Sequence, residues 1–399
     1  MSLSARDFPP GTPLCHFFAW NEGKPRWRRD RRYRLFRNPE LLPISVAQAL
    51  QAAIGDADPA AHAAVFAAFE QAARPAGARR RRILVIRLSA LGDFIQALGP
   101  IAAIRRHHAG DHVSLLTTRP LAGFAEELGY FDEVIVDQRP GMLAFSGWLN
   151  LRRRLRRDRF DRVYDLQTST RSAAYAWLLR PGMPEWSGIA WRCSHPHANR
   201  DRDPQHTLDK QTEQLLMAGI YPTPLPSLPP LHRDLPRELM GRDFVLLVPG
   251  SSPTHPEKRW PAECFGAVAR ALDETGYRAV IVGTATEAPL AVRIRDACPA
   301  ALDLTGQTDL GLVGALAQRA ALTIGNDTGV CHLAAAAGCA AVVLFSGGTD
   351  PARCAPRGRL VEVIAASDLR DLTPDPVISA AAEILVRRRR DKRQASGLR

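Results

Sequence analysis

Hydrophobic positions fall into two alternating patterns along most of this chain. Residues 83–87 (ILVIR) form a short β-branched run, and residues 97–107 carry apolar side chains at helical spacing. Residues 112–118 and 133–137 again read as strands, 148–157 as a basic helix and 162–166 (RVYDL) as a further strand. Strands that alternate with helices predict a parallel sheet with crossover helices. Residues 221–236 then contain six prolines, too many for any regular element, and mark a domain boundary. Beyond it the alternation resumes, with strands at 244–248, 279–282, 322–324 and 340–345 and helices at 261–275, 287–298, 310–319 and 329–337. Gly338 stands where a helix C′ residue belongs, and residues 375–390 have the spacing of a closing amphipathic helix. Two α/β halves joined by a proline-rich hinge predict a ligand cleft between them.

Residues 1–80 do not follow this pattern. They open with a Pro- and Arg-rich stretch, continue through an alanine-rich segment of helical periodicity (46–73) and end in a basic joint at 75–82. The predicted division is therefore an extension (1–80), two lobes (81–235 and 236–372) and a C-terminal helix with a basic tail (373–399).

Composition narrows the class. In 399 residues, 46% are hydrophobic and 24% charged, which supports folded cores and argues against global disorder. The longest uncharged apolar stretch, 330–345, contains His332 and Gly338 and reads as helix plus strand, so no bilayer span is expected. Residues 1–20 lack a basic segment followed by an apolar one, so no secretory signal is expected and the protein should be cytoplasmic. Seven scattered cysteines without a CxxC pair fit reduced thiols better than disulfides or a metal site. The formal charge is +12, with seven arginines in residues 26–37 and a second basic cluster at 387–393. Such clusters suit a solvated face, an anionic membrane surface, nucleic acid or a phosphorylated substrate alike. Trp27, Tyr33 and Phe36 are interleaved with the first cluster, which suits an anionic membrane surface. They can also stack on bases, but no nucleic-acid recognition module is visible.

Three stretches carry candidate chemistry. Residues 87–93 (RLSALGD) leave a strand and turn into a helix; Asp93 there either accepts a proton from an acceptor hydroxyl or simply caps the helix. The loop lacks G-x-G-x-x-G spacing, which weakens a dehydrogenase reading. Residues 248–252 (VPGSS), followed by Glu257-Lys258-Arg259-Trp260-Pro261, place hydroxyls and two cations where a diphosphate can bind, although Arg259 can equally face solvent. Residues 325–332 (GNDTGVCH) end a strand and start a small-residue helix whose N-terminus favours an anion, and His332 lies close enough to reach it.

Taken in order, RILVIRLSALGD at 82–93, DRVYDLQ at 161–167, HTLDKQTEQLL at 206–216, VPG and KRWP within 248–261, LTGQTDLGLVGALAQRA at 304–320, GNDTGVCHLAAAAG at 325–338 and SGGTDPARCAPRG at 346–358 resemble glycosyltransferase family 9, the ADP-heptose:lipopolysaccharide heptosyltransferases. The resemblance implies an α/β fold of GT-B type, two Rossmann-like lobes facing a central cleft, with acceptor on the first lobe and nucleotide sugar on the second. It implies an inverting, metal-independent transfer of heptose from ADP-heptose to the inner core of lipopolysaccharide, with no cofactor. Asp93 would be the general base and Lys258 would stabilise the departing diphosphate. Ser251, Ser252, Glu287, Asp327, Thr328, Gly329 and His332 would hold the donor, and Ser89, Gly92 and Gln167 would lie on the acceptor side. A phosphorylated core acceptor would bring the enzyme to the inner face of the cytoplasmic membrane.

The chain departs from the family pattern in its extension and in Ser346-Gly347-Gly348, where Gly-Pro is more usual. Residues 185–205, rich in His, Arg and Trp, lie where the acceptor side varies, so the acceptor stays open. Alternatives are the same transfer to another glycan or to an autotransporter protein, or a non-catalytic sugar-nucleotide binder. The autotransporter branch uses a cysteine-bound iron, for which no cysteine cluster is present. Asp93, Lys258 and His332 together argue against a non-catalytic binder.

Overall fold

The computed structural model describes residues 79–397, except 142, 198, 200, 201, 253 and 254. The alanine-rich helix expected at 46–73 and the arginine cluster at 26–37 lie outside the described residues. The chain divides into two compact units, one holding residues up to Ser89 together with Gly99–Pro224, the other Ala90–Leu98 with Leu225–Arg399. The third and last crossing, after Pro224, falls inside the proline-rich stretch, where residues 221–236 form no helix or strand.

The first unit is built on β1 (Arg82–Ile86), β2 (His112–Thr118), β3 (Glu133–Asp137), β4 (Arg162–Asp165), β5 (Glu185–Gly188) and β6 (His195–Pro196). They form one parallel sheet in the order β3-β2-β1-β4-β5-β6. The helix expected over 97–107 is α2 (Leu98–His107); a further short helix, α1 (Leu91–Gln96), precedes it and belongs to the second unit. The remaining helices of the first unit are α3 (Arg119–Glu127), α4 (Phe145–Arg157), α5 (Thr170–Leu178) and α6 (Thr207–Met217). Ser169 caps α5 by accepting a hydrogen bond from Ser172 N at 3.1 Å. Leu84, Ile86, Val163, Tyr175 and Trp186 pack into one core cluster, all of them fully buried. Both faces of the sheet are covered, which is why β1 reads as a continuous apolar run.

The second unit repeats the plan with β7 (Phe244–Val248), β8 (Arg278–Ile281), β9 (Leu302–Asp303), β10 (Leu322–Asn326), β11 (Ala341–Ser346) and β12 (Val361–Ala366). Their order is β12-β11-β10-β7-β8-β9, again all parallel. Around the sheet lie α7 (Ala262–Glu274), α8 (Ala288–Ala297), α9 (Leu310–Arg319), α10 (Gly329–Ala336), the short α11 (Pro351–Cys354) and α12 (Pro374–Gly397). Asp309 caps α9 through Leu312 N at 2.7 Å. Gly338 terminates α10 at φ +83°, a backbone region glycine enters without a Cβ penalty. Among the described residues no helix is long and apolar enough to cross a membrane.

Candidate active site

In each sheet the strand order reverses once, between β1 and β4 in the first unit and between β7 and β10 in the second. At such a switch point the chain leaves two neighbouring strands in opposite directions, so their carboxyl-end loops part and leave room for a ligand. Most of the residues selected from sequence sit on these four loops or at the helix starts that follow them.

In the second unit, Asn326 at the end of β10 organises the loop after β7. Its Nδ2 donates to Pro249 O at 2.9 Å and Gly250 O at 3.1 Å, and its Oδ1 accepts Trp260 N at 3.2 Å. Trp260 is fully buried and donates Nε1 to Leu372 O, so the far end of the loop cannot swing. Lys258 lies between these two anchors, and its Nζ donates to Asp327 Oδ2 at 2.7 Å. The lysine keeps 20% of its side chain exposed and the aspartate 9%, so the pair is shielded but not sealed. Ser251 is buried and donates its hydroxyl to His255 O, whereas Ser252 is exposed. Thr328 is the N-cap of α10 and gives no side-chain cap bond. The first-turn N–H groups of a helix have no intrahelical acceptors, and here they follow directly on Asp327.

Glu287 is also on this edge. Its Oε2 accepts Thr284 N at 2.7 Å and the Thr284 hydroxyl at 3.1 Å. Its Oε1 lies so close to Gly250 that a Cβ there would stand 1.5 Å away, so a larger residue at 250 would push this carboxylate aside.

The N-terminal ends of α1 and α10 meet through two glycines. A Cβ on Gly92 would come within 2.9 Å of His332 Cδ2, and one on Gly329 within 2.7 Å of Leu91 Cβ. Gln96 Nε2 lies 3.3 Å from His332 Nδ1 and donates to Cys354 O at 3.2 Å. With Gln96 donating, Nδ1 accepts and the neutral ring carries its proton on Nε2. Asp93 is not the N-cap of α1; Ala90 is. Asp93 occupies the third helical position, and its Oδ2 accepts Ala90 N at 3.2 Å, the acidic half of a capping box whose other half Ala90 cannot supply. Its side chain stays partly exposed. Burial pushes the Cys354 thiol up to about 11; the carboxylates of Asp327, Asp350 and Asp93 reinforce this and Lys258 opposes it. The charges of Asp93, Lys258 and Asp327 thus all bear on Cys354.

In the first unit, Gln167 follows β4 and its Oε1 accepts Leu88 N at 2.8 Å and Ser89 N at 3.3 Å, fixing the exit of β1. Gln167 is itself held by Asp165, whose Oδ1 accepts Gln167 N and Thr168 N. Full burial raises the Asp165 carboxyl to about 6 despite those bonds. The structure therefore joins Ser89 with Gln167, while Gly92 packs on His332 within the second unit. Sequence reading missed Asn326, Gln96 and Asp165. Asn326 and Asp165 lie inside motifs already noted, each the last residue of its strand, whereas nothing local distinguishes Gln96 on α1.

The family model for glycosyltransferase family 9 (heptosyltransferase) matches residues 148–373, more than half of the chain. The chain belongs to this family and is a glycosyltransferase. Its two parallel six-stranded α/β units are the GT-B plan. A lipooligosaccharide heptosyltransferase 2 of Haemophilus influenzae is 28% identical over 173 residues, 37% of this chain and 49% of the relative, so the match spans about half that relative's length. A lipopolysaccharide core heptosyltransferase, OpsX, of the same species is 23% identical over 301 residues, 71% of this chain and 84% of the relative. Among solved structures, a glycosyltransferase family 9 protein of Veillonella parvula superposes with a TM-score of 0.67 at 23% identity, covering 77% of this chain and 97% of that one. The E. coli heptosyltransferase WaaC with ADP-2-deoxy-2-fluoro heptose gives 0.61 at 19% identity, covering 76% and 99%.

Proposed function

We propose that this chain transfers heptose from ADP-heptose to the inner core of lipopolysaccharide, with inversion and without a metal. The observation that carries the donor half is the Lys258–Asp327 pair, delivered from both sides of the switch point beside the N-terminus of α10. A cation held in a shielded site and aimed at a helix start suits a leaving diphosphate, whose charge grows as the glycosidic bond breaks. Ser251, Ser252, Thr328 and Gly329 border the same edge, and Glu287 on the neighbouring loop is placed for a ribose hydroxyl. The acceptor oxygen attacks the anomeric carbon, the diphosphate leaves with the bonding pair, and Asp93 takes the hydroxyl proton. Ser89 and Gln167 belong to the acceptor side in this reading. Heptose as the sugar and a phosphorylated core as the acceptor are supported by the family and by the names of the relatives. No cluster of three or more metal-ligating side chains occurs among the described residues. Binding at the cytoplasmic face of the inner membrane follows from the acceptor.

Thermal unfolding with a panel of nucleotide sugars tests the reading. ADP-heptose and ADP should raise the melting temperature by linkage, whereas UDP- and GDP-sugars should not. Turnover should survive EDTA. A strict need for Mg²⁺ or Mn²⁺, or protection by a different nucleotide, would refute it.

A further inference from the structure

We propose that the first unit carries an anionic-lipid docking surface formed by α4, the end of α5 and the loop between β5 and β6, a different stretch of sequence from the arginine cluster of residues 26–37. Trp177 and Trp191 stack at 5.8 Å between ring centroids with planes 4° apart, and each is 54% exposed. Such an aromatic pair in water leaves a large apolar area unburied. Arg180 lies over both rings, at 4.1 and 5.4 Å, and Arg192 lies 3.9 Å over Trp191.

α4 extends this patch. Its outward positions run Phe145, Leu149, Arg153 and Arg156, the first two exposed apolar residues and the others exposed cations. Residues at this spacing share one helix face, so an apolar tip leads into a basic flank. Arg152 ties the two pieces together by donating to Leu178 O at 3.0 Å and Arg180 O at 2.8 Å. None of Arg152, Arg153, Arg156, Arg180 and Arg192 forms an ion pair among the described residues. Their neighbours on the helix contrast with them: Arg154 pairs with Glu133, and Arg157 with Asp158.

Charge complementarity selects the occupant. A second copy of this face would set arginine against arginine, and an apolar protein groove would leave the cations unpaired. An anionic bilayer accepts both halves: indole rings seat at the headgroup level, and arginines meet the lipid phosphates. The idea stands apart from the identity of the transferred sugar.

Co-sedimentation of the full chain with phosphatidylcholine vesicles, with and without phosphatidylglycerol, tests it. Arg153→Glu with Arg192→Glu should weaken binding to the anionic vesicles by at least about tenfold, since each cation near such a surface contributes roughly fivefold. Trp177→Ser with Trp191→Ser should weaken it comparably, and added salt should weaken the parent. Circular dichroism confirms folding; if the tryptophan pair variant is not folded, bromolipid quenching of the parent's fluorescence replaces it. Quenching that Trp177→Phe with Trp191→Phe clearly reduces supports the surface. Unchanged vesicle binding in the arginine variant overturns it, as does equal binding to a DNA duplex that ignores both tryptophans. Concentration-dependent dimers abolished by the same substitutions, without vesicle binding, would assign the face to a second copy instead.

Discussion

Lys258 Nζ and Asp327 Oδ2 are 2.7 Å apart although 69 residues separate them in the chain, and they emerge from the two strands that flank the reversal of the second sheet. The pair holds its cation in place before any ligand arrives. A leaving diphosphate would then meet a charge already oriented, with no reorganisation during bond breaking.

Lys258→Ala should therefore have two separable effects. Removing one member of a shielded pair strands the other, and the expected loss of stability is about 1–3 kcal/mol. Protection by ADP should fall as well. Asp327→Asn strands Lys258 less severely and should keep more of the ADP response. Melting curves with and without ADP separate the two; equal ADP-induced shifts in Lys258→Ala and the parent would remove the lysine from the donor site.

Asp165 sets a pH dependence. Its carboxyl is raised by burial from 3.8 to about 6 in the folded state. The folded chain therefore holds this proton more tightly than the unfolded chain does. The associated stability is fully present below pH 4 and is lost as pH rises through about 6, amounting to roughly 2–3 kcal/mol. Asp165→Asn keeps an oxygen for Gln167 N and Thr168 N but cannot ionise. Denaturant titrations between pH 4 and 7 should show a shallower decline for the variant; parallel curves would mean that Asp165 does not titrate as described.

Much of this organisation was legible in the sequence because parallel strands buried on both faces leave uninterrupted apolar runs. The strands at 112–118, 133–137 and 244–248 fall where the periodicity puts them. β5 and the edge strands β6, β9 and β12 did not announce themselves. β6 and β9 have two residues each, and β12 buries none of its residues fully, so none carries a continuous apolar signal. The division between α1 and α2 was equally silent, since Ala97 is a good helix former and only the packing of α1 within the second unit distinguishes the two. For the candidate site, local spacing found Lys258, Asp327 and Asp93. It did not find Gln96, whose meaning comes from His332, 236 positions away.

Gly329 allows close approach of α1 and α10. A methyl group there would lie 2.7 Å from Leu91 Cβ and 2.8 Å from Gly92 N, too close without a backbone shift. Gly329→Ala should cost about 1–3 kcal/mol, the usual range for overpacking, and should disturb the Gln96–His332 contact. Gly110→Ala is the control, because a Cβ there meets nothing within 4 Å. Chemical denaturation of both variants provides the measurement, and equal stabilities would show that the helices separate at little cost.

Asp93 holds two roles that a single substitution can divide. As the third residue of α1 it accepts Ala90 N, a local bond whose loss is worth about 1 kcal/mol. As the proposed base it must carry a negative charge and take a proton from the acceptor hydroxyl. Asp93→Asn keeps an oxygen for Ala90 N but removes the basicity, so its melting temperature should stay close to the parent's. Its turnover should nevertheless fall by about 10²–10⁴-fold, the range for losing a general base. ADP binding should be little affected, because the proposed phosphate contacts lie on Lys258 and α10. Asp93→Ala removes both functions and should be less stable as well as inactive. Initial rates with ADP-heptose, measured beside thermal melts of both variants, distinguish the roles. If Asp93→Asn keeps near-parental turnover while Asp93→Ala loses activity in step with its stability, Asp93 is a capping residue and the base is another group.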